Sequence, residues 1–180
     1  MDDERDLVAR AARGEMDAFL SVWTSHRGTI HRFASWMLQD AESADDVTQE
    51  CFLALLEHPA RFDPERGDLR TFLLGIARNK CRLRWRERQP ETALDDEAAD
   101  STPQALDELV ASESRTILNA AISTLPPLQR EALFLFEYED LSLEEAAAVA
   151  GTDVGTFKSR LYRGRQRLKR ELGWLVKEGF

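Results

Sequence analysis

The stretch from Ser142 to Leu172 constrains the fold more than any other part of this chain. Ser142-Leu143-Glu144-Glu145 has the capping-box pattern, and a short Ala-rich helical run follows it to Gly151. Asp153 then stands where an N-cap belongs, before a helix whose apolar positions Phe157, Leu161, Leu168 and Leu172 recur at helical spacing with Gly164 on the same face. Two helices joined by a short Gly-containing turn describe a helix-turn-helix. Small Ala147, four residues before Gly151, allows the two helices to approach closely.

The second of these helices is basic. From Lys158 to Arg170 there are seven Lys or Arg and no acidic residue, in a 180-residue protein of formal net charge -9. The remaining charge is also arranged in blocks. Arg78 to Arg88 holds six basic residues and one acidic one, Glu87, whereas Gln89 to Ser114 holds eight acidic residues and no basic one. Overall acidity therefore hides two basic helices, and a nucleic-acid phosphate backbone is the partner that such helices fit.

Leu and Ala dominate the apolar residues, which favours an all-α fold. A short helix is expected from Asp6 to Arg13, ended by Gly14 in a left-handed conformation. A longer helix runs from Met16 to about Leu38, with a bend or a helix break expected at Gly28. Ser43 is read as the N-cap of the next, which carries Val47, Cys51 and Leu55 on one face and stops before Pro59. Arg61 to Gly67 reads as a loop, and Asp68 as the cap of a helix from Leu69 to about Arg88. These elements form a first domain, 1–90. Residues 91–112 read as a flexible acidic linker, within which helical pattern resumes by about Leu106. The second domain is 113–180, where Pro126-Pro127 starts a helix with Leu128, Ala132, Leu133, Leu135 and Phe136 as its buried set.

No apolar run approaches the roughly 20 residues that span a bilayer, so no membrane insertion is expected. The acidic N-terminus lacks the apolar core of a secretory signal, which points to the cytoplasm. In that compartment Cys51 and Cys81 read as buried thiols. His26, His31 and His58 have no metal-ligand spacing, and there is no phosphate-binding Gly loop or nucleophile elbow. Neither an enzyme nor a cofactor or metal site is expected. A stand-alone helix-turn-helix repressor is the alternative that pattern alone leaves open.

Leu141-Ser-Leu-Glu-Glu-Ala-Ala, Gly151 and Gly155-Thr-Phe-Lys-Ser-Arg-Leu-Tyr-Arg resemble the fourth conserved region of extracytoplasmic-function sigma factors, and Leu125-Pro-Pro-Leu-Gln-Arg-Glu-Ala-Leu resembles the entry to it. Asp45-Asp46-Val-Thr-Gln-Glu-Cys-Phe-Leu, Arg61 to Leu73 and Ile76-Ala-Arg-Asn-Lys resemble the second region. The resemblance spans roughly residues 5–172, with Ala146, Phe157 and Gly164 as mild departures.

The resemblance implies a protein that binds core RNA polymerase and directs initiation at promoters with -35 and -10 elements. On the -35 duplex the matching positions are Lys158, Ser159, Arg160, Tyr162 and Arg163, on the helix whose N-terminal half would meet base edges. For the opened -10 strand they are Asn79, Lys80, Arg82, Arg84 and Phe62; Asn79 would read a flipped base, the cations would track the backbone, and Trp85 would pack. For the β′ coiled coil they are Asp45, Asp46, Gln49, Glu50 and Phe52, a charged rim beside apolar Phe52 and Leu53. The resemblance further implies that the second domain binds the β flap, that the linker threads toward the RNA exit path, and that an anti-sigma factor regulates the protein.

Overall fold

The computed structural model describes residues 4–88 and 113–173. Among these the elements are helical: α1 (Glu4–Ala12), α2 (Met16–Leu38), α3 (Ala41–Glu57), a 3-10 turn (Pro59–Arg61), α4 (Leu69–Arg88), α5 (Glu113–Ser123), α6 (Pro127–Leu133), a π-helical turn (Phe134–Tyr138), α7 (Leu143–Val149) and α8 (Val154–Leu172). The acidic segment 91–112, the helical pattern expected from Leu106, and the tail beyond residue 173 lie outside the described residues. The chain divides into two compact units, Met1–Arg84 and Trp85–Phe180.

In the first unit α2 packs against α1 and α3, and α1 also meets α3. The stripes Val22, Ile30, Phe33 and Ala34 of α2 and Ala44, Val47, Cys51 and Leu55 of α3 are at most 1% exposed. Fully burying a large apolar side chain contributes about 1.5–3 kcal/mol, so these stripes supply much of the unit's cohesion. Leu69, Leu73, Leu74, Ala77 and Cys81 bury the corresponding side of α4. The start of α4 is tied to α1, because the Leu69 amide donates to the Glu4 carboxylate at 3.0 Å.

Local signals account for most boundaries. Gly14 ends α1 at φ +88°, a left-handed conformation that costs Gly little. Asp68 accepts from the Thr71 amide at 2.8 Å, as a cap should. Two expectations need correction. Helix α2 runs unbroken through Gly28. The cap of α3 is Asp40, whose carboxylate accepts from the Ser43 amide at 3.1 Å, so Ser43 lies inside the first turn. Asp40 caps the orphan amides of a helix that starts three residues earlier than a Ser43 cap would give.

In the second unit α6 is central to the packing: it meets α8, as do α5 and α7. Every residue from Pro127 to Leu135 is buried. Arg130, 0% exposed, donates to the carbonyls of Leu125 (2.9 Å) and Ser123 (3.3 Å), which satisfies acceptors left over at the end of α5. The expected burial of Phe136 is incorrect: it is half-buried, and Phe134 is the buried ring. The cause is the π-helical turn, in which the Glu139 amide donates to the Phe134 carbonyl (3.0 Å). One extra residue in that turn rotates the face that a regular helical period assigns.

Ser142 closes its capping box: its hydroxyl accepts from the Glu145 amide (3.2 Å), and the Glu145 carboxylate accepts from the Ser142 amide (2.9 Å). Gly151, at φ +59°, makes the turn into α8. Asp153 caps α8 by accepting from the Thr156 amide at 2.8 Å.

Gly164 is a point of close approach between α8 and α6. A Cβ there would lie 3.0 Å from Leu133 Cδ1 and 3.3 Å from the backbone oxygen of Gln129. The leucine tip can turn aside, but the α6 backbone cannot. Gly164→Val should therefore destabilise the second unit by about 2 kcal/mol through overpacking, read as a lower midpoint in thermal unfolding. An unchanged midpoint would show that α6 and α8 do not meet here.

Candidate nucleic-acid and polymerase interfaces

Helix α8 is anchored by Phe157 and Leu161, 0% and 3% exposed, with Gly164 between it and α6. This orientation leaves Lys158, Ser159 and Tyr162 exposed, Tyr162 to 63%, with Arg160 and Arg163 half-buried at their flanks. The structure thus brings Lys158, Ser159 and Tyr162 onto one outer surface of α8, with Arg163 and then Arg160 at its edge, the Arg160 Nε being buried. Two of them are steadied by their own helix: Ser159 Oγ donates to the Gly155 carbonyl (3.1 Å), and Arg163 Nε donates to the Ser159 carbonyl (3.3 Å). The Thr156 hydroxyl and amide hold the Asp153 carboxyl below the usual carboxylate range, so the cap is charged at neutral pH. Further along, Arg165 pairs with Glu137 and lies over the Phe136 ring at 5.4 Å. Sequence reasoning missed this contact, because nothing in the spacing of residues 137 and 165 signals it.

The -10 set is less uniform. Asn79 is exposed on α4, and its Oδ1 accepts from Arg78 Nη1 at 3.4 Å. Leu83, one turn later, is 58% exposed, and Arg82 is half-buried beside it. Trp85 is buried, in keeping with a packing role. Arg78 is 7% exposed, so it does not belong to an open basic ridge with Arg82 and Arg86. Phe62 does not belong to a DNA-binding surface either. It is 1% exposed and packs against Phe72 with ring centroids 5.5 Å apart. The 3-10 turn folds the ring back under α4, where burying it is worth more than leaving it in water.

On α3, Asp45, Asp46 and Gln49 are exposed. His31 Nε2 lies 3.3 Å from the Asp45 carboxylate, which steadies one end of this face. Phe52 is a correction: it is 2% exposed and sits 4.7 Å from the Trp23 ring, inside the core. The apolar residue that α3 offers to solvent is Leu53, 56% exposed, one helical turn from Gln49. Periodicity turns Leu53 away from the Val47, Cys51 and Leu55 stripe and puts Phe52 at its edge, where the Trp23 ring covers it.

Glu50 links the two sets. Its carboxylate accepts from Lys80 Nζ at 3.0 Å and from Arg84 Nη1 at 3.3 Å, with a further bond from Arg84 Nη2 to its other oxygen. The Arg84 hydrogen bond is the main reason that the Glu50 carboxyl titrates below its usual range, and Lys80 reinforces it against partial burial. The same bond raises the Arg84 guanidinium. Cys51, next in sequence, is buried and its thiol is pushed up to about 12 by desolvation.

Two family models match the chain: Sigma-70 region 2 over residues 22–91, and Sigma-70 region 4 over residues 115–168. SigC of Mycobacterium tuberculosis, described as an ECF RNA polymerase sigma factor, is 35% identical over 172 residues, covering 90% of this chain and 87% of SigC. SigW of Bacillus subtilis, described likewise, is 28% identical over 177 residues, covering 92% of this chain and 94% of its own. Two solved structures have similar folds. The sigma factor RpoE bound to the anti-sigma factor NepR, from Bartonella quintana, has TM-score 0.69 at 26% identity over 86% of this chain and 96% of RpoE. CnrH bound to the cytosolic domain of CnrY has TM-score 0.65 at 26% identity over 98% and 99% of the two chains. This chain belongs to the extracytoplasmic-function sigma factors of RNA polymerase. Among the described residues no helix is long and apolar enough to cross a membrane.

The lowered Glu50 pKa has a stability consequence. The folded value lies below the unfolded one, so the Glu50 contribution is present above the unfolded value and is lost as pH falls through the folded one. Thermal stability of the wild type should therefore fall more steeply below about pH 4.5 than that of Glu50→Gln. Parallel acid limbs would show that the ion pair adds no stability in solution.

Proposed function

We propose that this chain carries promoter specificity for core RNA polymerase through a division of labour among its helices. The observation that supports this reading most directly is the outer surface of α8. Lys158, Ser159 and Tyr162 share it, flanked by half-buried Arg163 and Arg160, while Phe157 and Leu161 bury the seam behind it. A helix held by one seam and open on the other can enter a major groove, where Arg or Lys bridges guanine N7 and O6 and Ser or Tyr binds phosphate. This is the -35 contact.

Exposed Asn79 on α4 presents an amide that donates and accepts along the edge of an unstacked base, with Lys80, Arg82 and Arg84 as backbone cations. This is the -10 contact. Asp45, Asp46, Gln49 and exposed Leu53 on α3 form the docking surface for the basic β′ coiled coil, an apolar anchor within a charged rim. In this reading residues 1–90 dock on polymerase and hold the -10 strand, 91–112 connect, and 113–180 bind the β flap and the -35 duplex. The protein works in the cytoplasm without chemistry of its own, and an anti-sigma factor holds it inactive; the similarity to RpoE, which is bound to the anti-sigma factor NepR, supports a partner of that kind.

Purified protein and core polymerase on candidate promoters test this directly. Arg163→Ala should lower -35-dependent initiation by roughly tenfold, the size expected for losing one base-pair-reading contact of about 1–3 kcal/mol. Asp46→Arg should weaken binding to core first, with -35 duplex preference intact in whatever holoenzyme forms. Core affinity unaffected by Asp46→Arg would sink the docking assignment. Tight duplex binding with no initiation would instead favour a stand-alone repressor.

A further inference from the structure

Glu50 lies on α3, on the surface assigned to polymerase, whereas Lys80 and Arg84 lie on α4, among the cations assigned to the -10 strand. Lys80 and Arg84 are one helical turn apart, so both reach the same carboxylate. The geometry is that of an anion in a phosphate site: the guanidinium spans both oxygens of Glu50, and the ammonium closes on one of them at 3.0 Å. Asp46, one turn before Glu50, adds negative potential at Arg84. Together the two carboxylates make this part of α4 a poor site for a phosphate.

The cluster is also reachable. The side chains of Glu50, Lys80 and Arg84 are 40%, 28% and 19% exposed. Ion pairs this close to water contribute little net stability and exchange partners readily. Asn79, next to Lys80 in sequence, stays exposed with its Oδ1 on Arg78, so the base-reading side chain reaches solvent while the two cations are occupied.

We propose that Glu50 is a positioning residue that stands in for DNA phosphate on Lys80 and Arg84 in the free protein, and that a basic polymerase helix docking on α3 draws it away and releases both cations to the opened strand. This inference rests on the assignments of α3 and α4 made above. It makes DNA grip by the first unit conditional on polymerase, since one carboxylate cannot serve the partner helix and hold the two cations at once. The net charge of -9 then adds to a specific local block.

The test uses the full chain and a short fluorescein-labelled, thymidine-rich single strand, read by anisotropy across a salt series. Glu50→Gln should bind this strand about tenfold tighter than wild type in the absence of polymerase, with a log–log salt slope steeper by about 1.4, the value for two extra phosphate contacts on single strands. Adding Lys80→Ala and Arg84→Ala to Glu50→Gln should return binding to that of the Lys80→Ala/Arg84→Ala protein. No gain for Glu50→Gln, or a gain that survives removal of both cations, overturns the proposal. A measurement on the unmutated protein guards against misfolding of the variant. Acylation of the Lys80 amine, followed by mass spectrometry without DNA, should be several-fold faster in holoenzyme than in free protein, and an equal or slower rate overturns the release step. If Lys80→Ala/Arg84→Ala leaves initiation by holoenzyme unchanged, the DNA assignment of those cations fails and the proposal fails with it. If that double variant is impaired while Glu50→Gln gains nothing, the assignment stands and only the exchange is wrong.

Discussion

Burial of one apolar seam along each helix is the constraint on which the functional surfaces depend. A helix turns through about 100° per residue, so committing one stripe to the core fixes which other side chains reach solvent. On α8 the stripe is Phe157, Leu161 and Gly164, and it turns Lys158, Ser159 and Tyr162 outward. On α3 it is Val47, Cys51 and Leu55, and it turns Asp46, Gln49 and Leu53 outward. On α4 it includes Leu73, Ala77 and Cys81, and it leaves Asn79 and Leu83 exposed. The placement of these exposed residues is inherited from the apolar residues between them, which is why small changes at a packing position such as Gly164 bear on a surface several ångströms away.

Charge then decides how those surfaces behave. Two basic helices in an acidic chain are not equivalent. The cations of α8 face outward in an acid-free run, with Arg165 paired to Glu137 on its far side. Those of α4 are interleaved with an α3 carboxylate, so part of their charge is satisfied within the fold. The first arrangement suits a duplex, whose phosphates are always available. The second suits a strand that becomes available only after polymerase has opened it.

Much of this was legible from the chain because it rests on local chemistry. The capping box at Ser142, the cap at Asp153, the left-handed Gly14 and the break before Pro59 are each decided within four or five residues of backbone, and each appears in the structure where the residues place it. The outward residues of α8 follow from the period of its seam in the same way. The misreadings share a different cause. The resemblance puts Phe52 and Phe62 at interfaces and the helical period puts Phe136 in a buried set, and neither signal says what covers an aromatic ring. Trp23 covers Phe52, Phe72 packs on Phe62, and a π-helical turn exchanges Phe136 for Phe134.

The sequence by itself determined the helical class, the caps, the two basic helices and the acidic face, because hydrogen bonds within a turn and the helical period are short-range properties of consecutive residues. Only the tertiary structure decided what covers Phe52 and Phe62 and that Glu50 is joined to Lys80 and Arg84. These outcomes depend on residues well separated along the chain being brought within a few ångströms, and packing between elements, not the order of residues along any one of them, sets those distances.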